Sequence, residues 1–379
     1  MKILIYGRFS SHHFAIRNVI TSICKGLNET VDFSKHEIIV LSNTANKSAF
    51  AEMKNLKIDT VDIDPDNAMK NQLFTLLKLP IYIKNNKIDL VIFPQITFYY
   101  WKKCKTIFYL HDLIEFSVKN QKSLSLKLRK FFYKRAAKIS DKIITVSEYS
   151  KKDIHKLLKY PNEKICVLYD GRDENLIPQD KQESLTVIRN KFPDLRDMKQ
   201  YLLYVGYLAH PQKNLVFVLK NISEILKQRD LYFVLVGPNG KDSQLIHEEI
   251  EKQNSLLDKK RIFSVGTVSK DLLPKLYSSA EAFVFVSQYE GFGMPVLEAM
   301  SCGCPVITSN VSSLPEVACE CAELIEPHDN NSFVVKLNKI LDEGRKEYNY
   351  YKEPLTKFTW KKHIEGLNEI INGLQKEIN

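Results

Sequence analysis

The stretch Ser287-Gln288-Tyr289-Glu290-Gly291-Phe292-Gly293-Met294-Pro295-Val296-Leu297-Glu298-Ala299-Met300 carries the clearest chemistry in the chain. It follows an apolar run, Ala282–Val286, that reads as a buried strand. Gly291 and Gly293 let the backbone turn tightly and approach a ligand. Pro295 suits the first position of a helix. Strand, glycine turn and helix start make an anion site, because unpaired amides and the positive end of the helix dipole face one point. Glu290 precedes the turn and Glu298 lies inside the helix. Two carboxylates repel a bare phosphate. They suit a phosphate that joins two hydroxyl-rich groups, since a carboxylate accepts hydrogen bonds from a ribose or sugar diol. The run therefore predicts a nucleotide-binding turn; the bland alternative is an ordinary helix with two exposed glutamates.

Metal-based chemistry has weaker candidates. Asp62-Ile63-Asp64-Pro65-Asp66 holds an Asp-x-Asp triplet, which can bind a divalent cation, but it ends an early strand and acidic loops with proline are usually just solvated. Cys302-Gly303-Cys304 and Cys319-Glu320-Cys321 are spaced more tightly than zinc knuckles and sit beside apolar strand residues. No metal is expected. The odd count of 7 cysteines fits a reducing compartment.

The elements that must position the turn are repeated β-α units. Short apolar runs occupy Lys2–Tyr6, Glu37–Ser42, Leu90–Phe93, Thr106–Leu110, Lys142–Ser147 and Ile165–Tyr169, then Tyr201–Gly206, Tyr232–Gly237, Arg261–Gly266, Ala282–Val286, Pro305–Ser309 and Ala322–Ile325. Apolar on both faces, they suit buried parallel strands. Asn214–Lys227 and Lys270–Ser279 carry helical spacing. This is an α/β chain with two doubly wound parallel sheets. A polar stretch, Asp170–Gln200, separates the two sets, and the tail from Phe358 reads as a last helix. The expected division is a front domain over 1–173, a linker over 174–199, a back domain over 200–357 and a C-terminal helix over 358–379 that packs back on the front domain. The formal charge is +10, which favours polyanionic partners. Nothing resembles a nucleic-acid-binding motif, so none is expected. Between Ser117 and Lys138 eight basic residues, Lys119 and Lys122 among them, occur without a carboxylate and with interleaved Leu and Phe. Such a helix can lie on an anionic membrane or be a solvated basic face. With no apolar run of membrane-spanning length, the chain is expected in the cytoplasm, peripheral to the membrane's inner face.

Glu290 and Glu298, with seven residues between them that include Gly-Phe-Gly-Met-Pro, resemble the signature of the retaining GT-B glycosyltransferases of the large group 1 family. Cys302-Gly303-Cys304-Pro305-Val306-Ile307 resembles that family's next strand. The resemblance implies two Rossmann-like domains facing a central cleft. Lys213, in Pro211-Gln212-Lys213-Asn214-Leu215, matches the lysine that the family places on the donor diphosphate. The family's usual arginines are replaced by Tyr207 and Gln212. Val236-Gly237-Pro238 and Gly266-Thr267-Val268 resemble the strand ends near the base, so Gly237 and Val268 join the donor-binding set with Gly291, Phe292, Gly293, Met294, Pro295 and Glu298. His111, in Leu110-His111-Asp112-Leu113, matches a position facing the transferred sugar; alone, a histidine after a strand is more often structural. The stretch from Ser140 to Ser150 also resembles the family and reads as a strand leading into a helix, with Ser150 and Asp153 as its capping box. The loop after the first strand lacks the family's glycines, and its Arg8, His12 and His13 are candidates to face the acceptor or the diphosphate.

The implied reaction moves a hexose, of mannose type, from a nucleoside diphosphate to an acceptor hydroxyl with its anomeric configuration kept, in surface polysaccharide or glycolipid synthesis. Glu290, Lys213 and His111 are its catalytic set. No cofactor is needed beyond the donor. Rival readings are a silent subunit that binds nucleotide sugar, and a phosphorylase or epimerase on the same fold.

Overall fold

A computed structural model describes residues 1–10, 14–117 and 124–378. His12, His13, Lys119 and Lys122 lie outside the described residues. The chain divides into two units: Met1–Gly171 with Phe358–Asn379, here the front unit, and Arg172–Lys357, the back unit.

The front unit is built on seven parallel strands: β1 (Lys2–Tyr6), β2 (Glu37–Asn43), β3 (Lys57–Val61), β4 (Leu90–Phe93), β5 (Lys105–Tyr109), β6 (Lys142–Thr145) and β7 (Ile165–Val167). Their order is β3-β2-β1-β4-β5-β6-β7. Alternation explains why β1 is buried from Ile3 to Tyr6 on both faces. Ile3 and Ile5 enter one core with Ile20, Ile23 and Leu27 of the helix Phe14–Thr30. Leu4 and Tyr6 enter another, on the opposite sheet face, with Phe74, Phe93 and Tyr133. The last helix, Trp360–Lys376, lies in the first of these cores through Ile364, Leu367, Ile371 and Leu374. Thr359 caps it, its hydroxyl accepting from Lys362 N at 3.2 Å.

The back unit has six parallel strands: β8 (Tyr201–Val205), β9 (Tyr232–Val236), β10 (Ile262–Gly266), β11 (Ala282–Phe285), β12 (Val306–Ser309) and β13 (Ala322–Ile325). The order β10-β9-β8-β11-β12-β13 repeats the pattern of the front sheet.

Two expectations need correction. Residues 174–199 are not a linker: they contain the helix Lys181–Lys191, capped by Asp180, which buries Ser184, Leu185 and Ile188 and belongs to the back unit. Its apolar positions are few, so the stretch reads as polar although one face is covered. The helix Glu148–Leu158 is capped by Ser147, whose hydroxyl accepts from Ser150 N at 3.0 Å. The helix therefore starts earlier than a Ser150–Asp153 capping box requires.

Candidate functional site

In each sheet the strand order reverses beside the first strand, between β1 and β4 in front and between β8 and β11 behind. Connections there leave on opposite faces and open a crevice at the carboxyl ends of the strands. Lys213 lies in the connection after β8 and Glu290 in the connection after β11. The fold thus joins two sequence stretches far apart in the chain.

They are fastened through the backbone. The Gln212 carbonyl accepts from Gln288 N at 2.8 Å and from the Ser287 hydroxyl at 3.0 Å. Gln212 Nε2 donates to the Tyr289 carbonyl at 3.2 Å. With both loops held, Lys213 Nζ reaches Glu290 Oε1 at 2.6 Å, and the two side chains are 13% and 14% exposed. The ammonium also lies 5.2 Å from the centre of the Phe285 ring. This is a partly desolvated ion pair, in which each charge is worth more to a third charged partner than it would be in bulk water.

The turn itself is pinned from the connection after β12. Glu290 N donates to Ser312 Oγ at 3.0 Å. The buried Ser313 hydroxyl reaches the carbonyls of Glu290 at 3.0 Å and Phe292 at 2.6 Å. Gly293, at φ 115°, then starts the helix Met294–Ser301; that angle lies in a region that favours glycine. The amides of Gly293 and Met294 have no hydrogen-bond partner among the described residues. Pro295 occupies the second helical position rather than the first. It has no N–H, so its part in the anion site is to shape the helix start, not to donate.

One helical turn further, Glu298 is half-buried and accepts from the Tyr277 hydroxyl at 2.9 Å. Burial pushes its carboxyl up to about 7, against the lowering effect of that hydrogen bond. On the neighbouring strands, Gly206, Gly237 and Gly266 come together: Gly206 N donates to Val236 O at 2.9 Å and Gly237 N to Gly266 O at 2.8 Å. Val268 follows β10, half-buried.

In the front unit, His111 is held at both ends. Its Nε2 donates to the Pro94 carbonyl at 2.9 Å, and its own carbonyl accepts from the Ser150 hydroxyl at 3.1 Å. Nδ1 is left as the nitrogen able to accept. Arg8, read as facing acceptor or diphosphate, is instead 3% exposed. Its guanidinium is bonded to Asn43 and Asn71 and lies 4.4 Å from the Phe74 ring centre. That packing makes Arg8 part of the interior of the front unit.

Asp62, Asp64 and Asp66 are exposed after β3, where Asp64 Oδ1 accepts from Asp66 N at 2.9 Å in a local turn. Cys302 and Cys304 are fully buried, and burial pushes the Cys304 thiol up to about 11. Sequence reasoning missed Tyr277, Ser312 and Ser313. The pair Ser312-Ser313 before Leu314-Pro315 was a legible helix-start signal; Tyr277 left none.

Two family models divide the chain between them: "Glycosyltransferase Family 4" matches residues 16–176 and "Glycosyl transferases group 1" matches residues 188–356. The chain belongs to the group 1 glycosyltransferases. It is similar to O-antigen chain mannosyltransferase B of Escherichia coli, 34% identical over 189 residues, which is 49% of this chain and 48% of that protein. The match thus spans about half the length of this curated relative. A glycosyltransferase of Rickettsia africae has the same fold, with a TM-score of 0.72 at 18% identity over 99% of this chain and 98% of that one. Anabaena Alr3699/HepE, solved in complex with UDP, has a TM-score of 0.73 at 17% identity over 98% of this chain and 100% of that one. The fold of this group 1 member is GT-B.

Proposed function

We propose that the protein transfers a hexose, of mannose type, from a nucleoside diphosphate to an acceptor hydroxyl in surface polysaccharide or glycolipid synthesis, keeping the anomeric configuration, at the anionic inner face of a membrane. The observation that carries this is the Lys213–Glu290 pair at 2.6 Å on the turn whose Gly293 and Met294 amides have no partner among the described residues. In the reaction the bond from anomeric carbon to phosphate oxygen breaks, and the sugar gains oxocarbenium character. Negative charge collects on the leaving diphosphate, where the ammonium and the amides stabilise it. Glu290 holds sugar hydroxyls, Glu298 the ribose diol, and His111 is assigned to the sugar. The acceptor oxygen forms the new bond, and its proton passes to a diphosphate oxygen if attack is on the same face. The other route to retention is a double displacement through a carboxylate. Mannose as the sugar is supported by the E. coli mannosyltransferase relative; the HepE complex with UDP supports a nucleoside diphosphate as the ligand.

The test is a thermal-shift screen against nucleotide sugars, followed by hydrolysis of the stabilising donor with EDTA present. A ligand bound to the folded state alone raises the melting temperature. Stabilisation with turnover is expected. Stabilisation without turnover, with or without acceptor, supports a silent binding subunit instead.

A further inference from the structure

The front unit carries an apolar surface that its own fold does not cover. The helical stretch Ala68–Asn85 contains one π turn, Phe74–Lys78. Along it Met69, Leu73, Leu77 and Ile81 recur every fourth residue and are 69%, 50%, 63% and 58% exposed. In an α-helix a four-residue spacing drifts by about 40° per step; the wider π turn offsets part of that drift and keeps the stripe on one face. Single exposed apolar side chains need no explanation, but a continuous row of four does.

The row continues onto neighbouring elements. The Leu76 carbonyl faces Pro80, which has no N–H to give it, and the Trp101 indole donates to it instead at 2.9 Å. Trp101 and Tyr100 are themselves 43% and 39% exposed. The Tyr100 ring stacks on exposed Phe131 at 6.5 Å and lies 4.1 Å from the Arg135 guanidinium. Phe131 belongs to the helix Leu124–Ile139, where Leu124 and Leu128 are also exposed.

Along these two helices the charge has one sign, while exposed Asp62, Asp64 and Asp66 precede the stripe at its Met69 end. From Asn67 to Ile88 there are four lysines and no carboxylate, and the helix Leu124–Ile139 has six basic residues and no carboxylate. The nearby Asp141 is paired with Lys102 at 3.1 Å, and Glu115 is paired with Arg129. An apolar stripe with interfacial Trp and Tyr inside a lysine fringe matches one environment: acyl chains beneath anionic headgroups.

We infer that the stripe Met69–Ile81, with Tyr100, Trp101 and the helix Leu124–Ile139, is a docking surface for an anionic lipid bilayer. The inference rests on the peripheral attachment proposed above and locates it: the apolar anchor is the 68–85 helix, and the basic helix supplies electrostatic attraction beside it.

The full chain is sedimented with vesicles of phosphatidylcholine alone or mixed with phosphatidylglycerol, at low salt. Wild type is expected to pellet with the mixed vesicles only, with a blue shift of Trp101 emission that Trp101→Phe removes. Leu73→Asp with Leu77→Asp should weaken partitioning about tenfold or more, and Lys127→Gln with Lys134→Gln should weaken it and make the remainder less salt-sensitive. Leu245→Asp, exposed in the back unit, should change nothing. All these positions are on the surface, so unchanged melting temperatures and unchanged donor hydrolysis in solution confirm folding. Tight binding by wild type that both double variants retain would overturn this surface while leaving peripheral attachment in place. No binding by wild type to any vesicle would overturn both.

Discussion

Lys213 and Glu290 neutralise one another at 2.6 Å. An arriving diphosphate adds negative charge on one side of the ammonium, and that charge grows as the sugar departs. The lysine should therefore matter more in the transition state than in the bound donor. Lys213→Ala is expected to lower kcat by ~10²–10³-fold and donor affinity only modestly. Gln212→Arg, on the same loop, should recover part of the rate. Steady-state kinetics of the single and double variants, with circular dichroism as a folding check, reads this directly; near-normal kcat in Lys213→Ala would remove the lysine from the mechanism. Glu298 adds a pH signature. Ribose hydroxyls need an ionised acceptor, and burial holds this carboxyl at about 7. Donor binding should release a proton, so affinity should be about tenfold weaker at pH 6 than at pH 8. In the free protein the sign for stability is the reverse: a raised carboxyl pKa makes the folded state the tighter proton binder, so this group's contribution falls as pH rises from 4.5 towards 7. Calorimetric titration of Glu298→Gln should show the pH dependence of donor binding lost; an unaltered profile would place the proton elsewhere. Glu290 and Glu298 were legible because strand, glycine turn and helix start are local patterns; Lys213 was legible only through the family resemblance. Tyr277 was not, and the Ser312-Ser313 helix start gave no sign of its partners, because these are set by which strands are neighbours.

Among the elements, the closest backbone approach near the site is at the ends of β8 and β9. Gly237 has φ 140°, and a Cβ there would come within 2.0 Å of the Gly206 carbonyl oxygen. The neighbour is backbone, so it cannot swing aside. Gly237→Ala should cost roughly 2–4 kcal/mol of stability from strain and overpacking, measured as a lowered urea midpoint at constant m-value; a midpoint unchanged from wild type would mean that the strand end relaxes freely. The buried strands were readable since both faces carry apolar side chains. β3 was only implied upstream of Asp62, without bounds, because as an edge strand it is half-exposed and reads Lys-Ile-Asp-Thr-Val. The helix Lys181–Lys191 escaped for a related reason: a few covered positions do not stand out against its charged face. The basic segment was visible as charge alone. The exposed stripe from Met69 to Ile81 was not, since in sequence its leucines look like any core residues.

At the scale of the whole molecule, two sheets of the same strand order each place a reversal point at the carboxyl ends of their strands. The back one holds the glycine turn; the front one holds His111 and buries Arg8. Resemblance carried the family from the Glu290–Glu298 block, and the strand periodicity carried the two-sheet architecture. Neither could show which side chains the loops bury. The central claim is transfer from a nucleotide sugar with configuration kept, and the anomeric proton of the product reports it most directly. With an α-configured donor and a hydroxyl acceptor, proton NMR of the first-formed product should show the α-glycoside. A β-glycoside as the first product would mean a single in-line displacement and would contradict the account.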